Sequence, residues 1–289
     1  RPEQTLFTYL HLAADLNQAE LLMASGATCI AYETITSREG GLPLLAPMSA
    51  IAGRLSVQAG AHHMEVQKGG NGTLLGGVPG VAPAKVLVLG GGIVGSSALR
   101  VAVGMGADVT VIDRSVAKLA KLEELYRGQL RTIYSTAESI EDHAREADLI
   151  IGAVLIPGAS APKLISADML RLLKPRTVLV DVAIDQGGCF ETSRITNHDD
   201  PTFVKHGVTH YCVPNIASRV SRTASFAISN IFSPLLLEMG DCGGVVELIR
   251  SNRGFRNGVY IYKGILTNEV LGKVFNLKYK DINLILPGI

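Results

Sequence analysis

The sequence predicts an α/β chain in which a doubly wound, parallel-sheet domain is inserted in a second, discontinuous α/β domain and joined to it by long helices. Three observations predict this. Apolar, β-branched runs recur over 85–89, 108–113, 131–134, 148–153, 177–182 and 208–212 with helix-compatible segments between them, the spacing of a parallel sheet. The first of these runs leads directly into Gly90, Gly92 and Gly95, with a helix-compatible segment beginning at Ile93. Two long stretches, 46–68 and 218–239, flank this core and are long enough to bridge domains.

From the front of the chain, 5–13 is strand-like, 16–25 has the apolar spacing of a helix closed by Gly26, and 28–35 reads as a second strand. This β-α-β rhythm has no glycine fingerprint of its own. The 46–68 stretch has no proline after Pro47 and suits a helix of about six turns. Gly69, Gly70 and Gly72, then Gly76, Gly77, Pro79 and Gly80, form a breaker-rich connection. Beyond the sheet, 218–239 is a second bridging helix, broken or started near Pro234, and 268–275 is a short helix. Residues 1–68 and 218–289 are therefore read as a substrate domain, with a Rossmann-type dinucleotide domain over 69–217.

The glycine spacing carries a physical reading. Gly90 takes the tight turn, Gly92 lets backbone approach a pyrophosphate, and Gly95 lets helix and strand pack closely. The first helical residues, Ile93 and Val94, offer unpaired N–H groups to the anion. The next strand ends in Asp113, 18 positions after Gly95, where a carboxylate can bind both hydroxyls of an adenosine ribose. It repels a 2′-phosphate, which favours NAD over NADP, while Arg114 beside it pulls the other way.

A chain of 289 residues suits two domains, each large enough to bury a core. The 27 basic and 26 acidic residues leave a net charge of +1, which asks for neither nucleic acid nor anionic lipid. Cys29, Cys189, Cys212 and Cys242 lie far apart without a C-x-x-C pair, the pattern of reduced thiols in the cytoplasm. No structural metal is expected. The start at Arg1 and Pro2 shows no basic region leading into an apolar core, and the apolar 86–112 run contains Arg100 and Asp108, so neither a leader nor a span is expected.

Ligands of open α/β sheets bind beyond the carboxyl ends of strands. Four places there are candidates. His11 lies near the end of the first strand; its structural alternative is a histidine satisfied within the fold. Val154, Leu155 and Ile156 follow a strand and can close over a nicotinamide ribose, or form a plain turn. Asp185 stands before Gly187 and Gly188, where a carboxylate can handle water or a substrate ammonium. Asn215 either contacts a ligand or caps the helix that follows. His62 and His63 point to different faces of one helix and cannot chelate one ion; His143, His198, His206 and His210 read as surface or loop residues, and Lys68, Arg219 and Arg222 as cations near domain edges.

Five segments in order, Thr5-Leu-Phe-Thr-Tyr-Leu-His11, Gly76-Gly-Val-Pro79-Gly80, Val154-Leu-Ile156, Asp185-Gln-Gly-Gly-Cys189 and Tyr211-Cys-Val-Pro-Asn215, resemble the alanine dehydrogenase family, with part of the pattern shared by nicotinamide nucleotide transhydrogenase subunits. The resemblance implies reversible, NAD-dependent deamination of L-alanine to pyruvate and ammonia in a homohexamer. It implies that His11 bonds the pyruvate carbonyl and exchanges a proton, that Asp185 assists water attack and ammonia departure, that Asp113 binds ribose, and that Val154, Leu155, Ile156 and Asn215 lie around the nicotinamide. Family members carry a further N-terminal segment with a substrate-binding lysine and arginine, and this chain begins after both. NAD binding with impaired turnover on alanine is accordingly the expectation. The nucleotide-binding part of a transhydrogenase and a non-catalytic NAD-binding fragment remain the alternatives.

Overall fold

Short β-branched runs separated by helix-forming segments can pair side by side only through crossovers, and the computed structural model is organised in this way. The structure describes residues 1–154 and 161–286. They divide into two compact units, one of 1–48 and 222–286 and the other of 49–154 and 161–221. The first division falls between Met48 and Ser49, inside a helix, rather than at the glycine-rich connection after 68.

The chain opens with β1 (Thr5–Thr8), α1 (Leu16–Ala24), β2 (Thr28–Ala31) and α2 (Leu45–His63). Next come β3 (Lys85–Leu89), α3 (Ile93–Gly104), β4 (Asp108–Asp113), α4 (Val116–Tyr126), β5 (Leu130–Tyr134), α5 (Ala137–Glu146) and β6 (Leu149–Gly152). They are followed by α6 (Ala167–Leu170), β7 (Val178–Asp181), β8 (Thr202–Lys205), β9 (Val208–Tyr211) and α7 (Ser221–Asp241). The chain closes with α8 (Val245–Ser251), α9 (Arg253–Arg256), β10 (Val259–Tyr262), β11 (Ile265–Leu266), α10 (Glu269–Phe275) and α11 (Ile282–Ile285).

The larger unit holds a seven-stranded sheet in the order β5-β4-β3-β6-β7-β9-β8. Its strands are parallel except β8, which runs antiparallel to β9. A parallel sheet is covered on both faces and needs continuous apolar strands; β6 and β7 are accordingly buried at every position. Leu87, Leu89, Ile150 and Leu179 pack with Ile140 and Ala144 of α5. On the opposite face, Val88 lies against Gly95 of α3. The strand order reverses at β3, since β4 and β5 lie to one side and β6, β7 and β9 to the other, so the carboxyl ends of β3 and β6 form the switch point at which open α/β sheets bind ligands.

The smaller unit has a four-stranded sheet, β1-β2-β10-β11, in which β1 and β2 are parallel and β10 and β11 form an antiparallel hairpin. Side chains alternate across β2, so Cys29 and Ala31 join one core with Leu10, Leu12 and Ala19. Ile30 joins the other, with Leu44, Leu248 and Phe255.

Several elements differ from the sequence expectation. The strands predicted over 5–13 and 28–35 stop at Thr8 and Ala31, where 3₁₀ turns and a left-handed residue take over. The first long helix ends at His63 rather than at 68. The second carries through Pro234, which loses one backbone bond without ending it. The strands β8, β10 and β11 were not expected from apolar pattern; both hairpins turn on two residues with positive φ, His206 with Gly207 and Lys263 with Gly264, where the usual Asn-Gly or Asp-Gly signal is missing.

Candidate functional site

The first functional feature is the loop between β3 and α3. Gly90 has φ +103°, and a Cβ built there would lie 2.8 Å from the Ala153 carbonyl oxygen and 3.0 Å from Val154 Cγ2. A Cβ on Gly95 would lie 1.8 Å from the Gly90 carbonyl oxygen, so no larger residue fits. Gly92 differs: a Cβ there meets nothing within 4 Å. This open space stands over the start of α3, where Gly92 is the N-cap and makes no side-chain cap bond. The first N–H groups of a helix have no intrahelical partner, and their combination with open space fits the diphosphate of a dinucleotide. Val94 is buried at this first turn and Ile93 is exposed. Sequence reasoning missed Gly53 of α2, whose Cβ would lie 2.0 Å from the Val94 carbonyl oxygen, so that α2 crosses the start of α3 in close contact.

Asp113 ends β4, the strand beside β3. Its Oδ2 accepts from Gly91 N at 2.7 Å and its Oδ1 from Ser115 N at 2.7 Å. The carboxylate therefore fixes the glycine loop, and each oxygen keeps further lone-pair capacity for a ribose hydroxyl. The Lys118 ammonium lies 3.9 Å from Oδ2, a cation the sequence reading did not pick out. Arg114, one residue past the strand, is exposed.

Asp185 and Asn215 meet. The Asn215 backbone N donates to Asp185 Oδ1 at 2.9 Å, joining the 3₁₀ turn after β7 to the one after β9. Asn215 occupies the N-cap position of the following turn in the left-handed region, at φ 48°, and its side chain makes no cap bond there. Val154 stands against the glycine loop at the end of β6; Leu155 and Ile156 lie outside the described residues.

His11 belongs to the smaller unit and is placed by a device absent from the sequence reading. Its φ is 47°, and the Glu33 carboxylate accepts from His11 N at 2.7 Å and from Leu10 N at 3.2 Å. Glu33 follows β2, so the loop after one parallel strand is tied by a carboxylate after its neighbour. The imidazole is exposed and stacks on Tyr9 at 6.1 Å, while the Tyr9 hydroxyl donates to the Leu44 carbonyl at 2.6 Å.

Two other histidines are buried and take no exposed role. His210, read from sequence as a surface or loop residue, is instead inside β9, with Nε2 2.8 Å from Thr192 Oγ1 and the ring stacked on Phe203. Burial lowers its pKa to about 4. His63 is likewise pushed to about 4 by burial, with the cations nearby adding to the effect. Among the described residues, no group of three or more His, Cys, Asp or Glu is placed to hold a metal, and no helix is long and apolar enough to cross a membrane.

Comparison with known proteins identifies the family and the fold. The alanine dehydrogenase/PNT N-terminal domain matches residues 1–52 and the corresponding C-terminal domain residues 56–269. The chain is similar to the alanine dehydrogenase of Halomonas elongata, at 55% identity over 278 residues, covering 96% of this chain and 75% of that protein. It is 49% identical to the alanine dehydrogenase of Mycolicibacterium smegmatis, covering 97% and 76%. A solved L-alanine dehydrogenase superposes with a TM-score of 0.88 at 46% identity, covering 95% of this chain and 75% of that one. A transhydrogenase from Sinorhizobium meliloti shares the fold, with a TM-score of 0.75 at 22% identity, covering 93% and 74%.

Proposed function

The chain belongs to the alanine dehydrogenase/PNT family, and we propose that it catalyses the reversible, NAD-dependent oxidative deamination of L-alanine to pyruvate and ammonia. The observation that carries this reading is the 55% identity to an alanine dehydrogenase across 96% of the chain. The glycine loop supports NAD as the cofactor, through the open space at Gly92 and the Asp113 carboxylate at the end of β4.

When bound, NAD accepts the hydride released from the alanine α-carbon. The oxidised substrate is an imine, and its hydrolysis to a carbonyl and ammonia moves both protons of the attacking water to nitrogen. His11 is the residue assigned to exchange a proton with the substrate oxygen, because its imidazole is exposed and its backbone is fixed by Glu33. Asp185 is assigned to water attack and ammonia departure. Gly90, Gly92, Ile93, Val94, Gly95 and Asp113 are assigned to the dinucleotide, with Arg114, Val154, Leu155, Ile156 and Asn215 around it. These groups position the reactants, while the redox step belongs to the cofactor.

A homo-oligomer, a hexamer by family resemblance, is supported by α7, where Ala224 alone is buried and Phe226 and Leu237 are 62% and 69% exposed. Four free cysteines support a reducing, cytoplasmic setting. The test of function is NADH appearance with NAD and L-alanine, run beside a direct NAD titration. NADH appearance that depends on alanine, slow or fast, supports the deamination reading. NAD binding without it overturns the deamination reading, and hydride exchange between NADH and an NADP analogue without alanine would place the chain with transhydrogenases instead.

A further inference from the structure

The turn that carries Asp185 is gripped from two sides by residues with no assigned role. Asp181 ends β7 and is 2% exposed, yet its carboxylate is surrounded by donors. It accepts from Ala183 N at 3.1 Å, Cys189 N at 3.0 Å, Phe190 N at 3.3 Å and Ser193 Oγ at 2.5 Å. The first of these bonds lies before Asp185 in sequence and the other three after it, so one buried group closes both ends of the turn. Lys163 works on the carbonyls. Its ammonium donates to Gly187 O at 2.6 Å and Gly188 O at 2.8 Å, with Phe190 O at 3.4 Å.

The turn needs this support. Gly187 and Gly188 are both left-handed, at φ 86° and 76°, which makes this stretch of backbone entropically costly to fix. A Cβ on Gly188 would lie 2.5 Å from Asp181 Oδ2, so backbone and carboxylate are in close contact. Burying a carboxylate opposes its ionisation, and the ring of donors offsets that cost. Among the described residues, the hydrogen bonds of this carboxylate end on the 183–193 segment.

The geometry points to Asp181 and Lys163 as positioning residues, which hold the Asp185 carboxylate in its catalytic place by clamping opposite sides of the 183–190 backbone. The inference rests on the deamination reading for what Asp185 does, but not for the clamp itself. Neither residue touches substrate in this assignment; both act through Asp185, whose Oδ1 in turn holds Asn215 N.

The experiment compares the full chain with Asp181→Asn, Lys163→Met and Lys163→Arg, by steady-state kinetics and by hydrogen exchange of peptides covering 182–193 and 85–113. An asparagine places an N–H donor among the donors that the second carboxylate oxygen now satisfies. For Asp181→Asn and Lys163→Met, kcat falls by about 10–100-fold, since small displacements of a catalytic group have effects of this order, while NAD affinity stays within about threefold. Exchange across 182–193 quickens by about tenfold, with 85–113 unchanged. Lys163→Arg restores most of the loss. Unchanged kcat and unchanged exchange in both variants overturn the inference, as does a Lys163→Met variant whose NAD affinity falls in step with its kcat. If Asp181→Asn does not fold, exposed Lys163 decides alone. A wild-type chain without alanine turnover counts against the deamination reading, and exchange then decides the clamp by itself: lost protection around Asp185 supports it, and unchanged protection overturns it.

Discussion

The glycine loop after β3 and the His11 turn after β1 occupy the same topological position, beyond the carboxyl end of a parallel strand, and both are tied by a carboxylate from the next strand over. Asp113 accepts from Gly91 N in one, and Glu33 accepts from Leu10 N and His11 N in the other. What they present is opposite. The first shows bare backbone and a helix start, suited to an anion; the second shows an exposed imidazole on a strained, left-handed residue. One backbone device thus leaves bare backbone at one strand end and holds out a side chain at the other.

The sharpest break of this comparison is Gly95→Ala, whose added carbon would lie 1.8 Å from the Gly90 carbonyl. A loss of about 3 kcal/mol or more in stability, with NAD binding abolished, is expected in urea melts and titrations. Gly92→Ala has room for its methyl group; it should fold normally and weaken NAD alone, so equal destabilisation by both substitutions would refute the division of roles. His11→Ala should cut alanine turnover by about 10²–10⁴ with NAD affinity kept; near-normal turnover removes His11 from the mechanism.

The two carboxylates separate next. Glu33→Gln should weaken charge-assisted bonds worth about 1.5–3 kcal/mol each, lowering kcat while an NAD titration reads as wild type. Asp113→Asn should do the reverse, raising the NAD Kd by about tenfold, and a kcat effect at saturating NAD would show that the two clamps are not independent.

The smallest effect is on stability with pH. His63 and His210 have pKa values lowered to about 4 from 6.5, so between those values the unfolded chain binds protons that the folded chain refuses. Their contribution is present above pH 6.5 and is lost as pH falls toward 4. Urea midpoints at pH 7 and pH 5 measure it, and His210→Gln should flatten the slope.

The dinucleotide half was legible because its signals are local. A β-branched run, three glycines at fixed spacing and an acid at the end of the next strand are all read within 29 positions, from Lys85 to Asp113. The hairpins β8–β9 and β10–β11 were not, because His206-Gly207 and Lys263-Gly264 adopt turn geometry without the usual turn residues. Asn215 reads equally as cap or ligand contact, and no local pattern records that its backbone N–H meets Asp185, 30 residues away.

By itself, the sequence determined the α/β class, the strand that feeds the glycine loop and the acid that ends the next strand, since periodicity and glycine spacing act between near neighbours along the chain. Only the tertiary structure decided what holds those residues. Glu33 reaches His11 across 22 positions, Lys163 reaches the Asp185 turn across 24, and His210 is buried by packing against Phe203 and Thr192. A carboxylate or ammonium finds such partners through the folding of distant segments together, and no local pattern records which backbone amides or carbonyls it will meet.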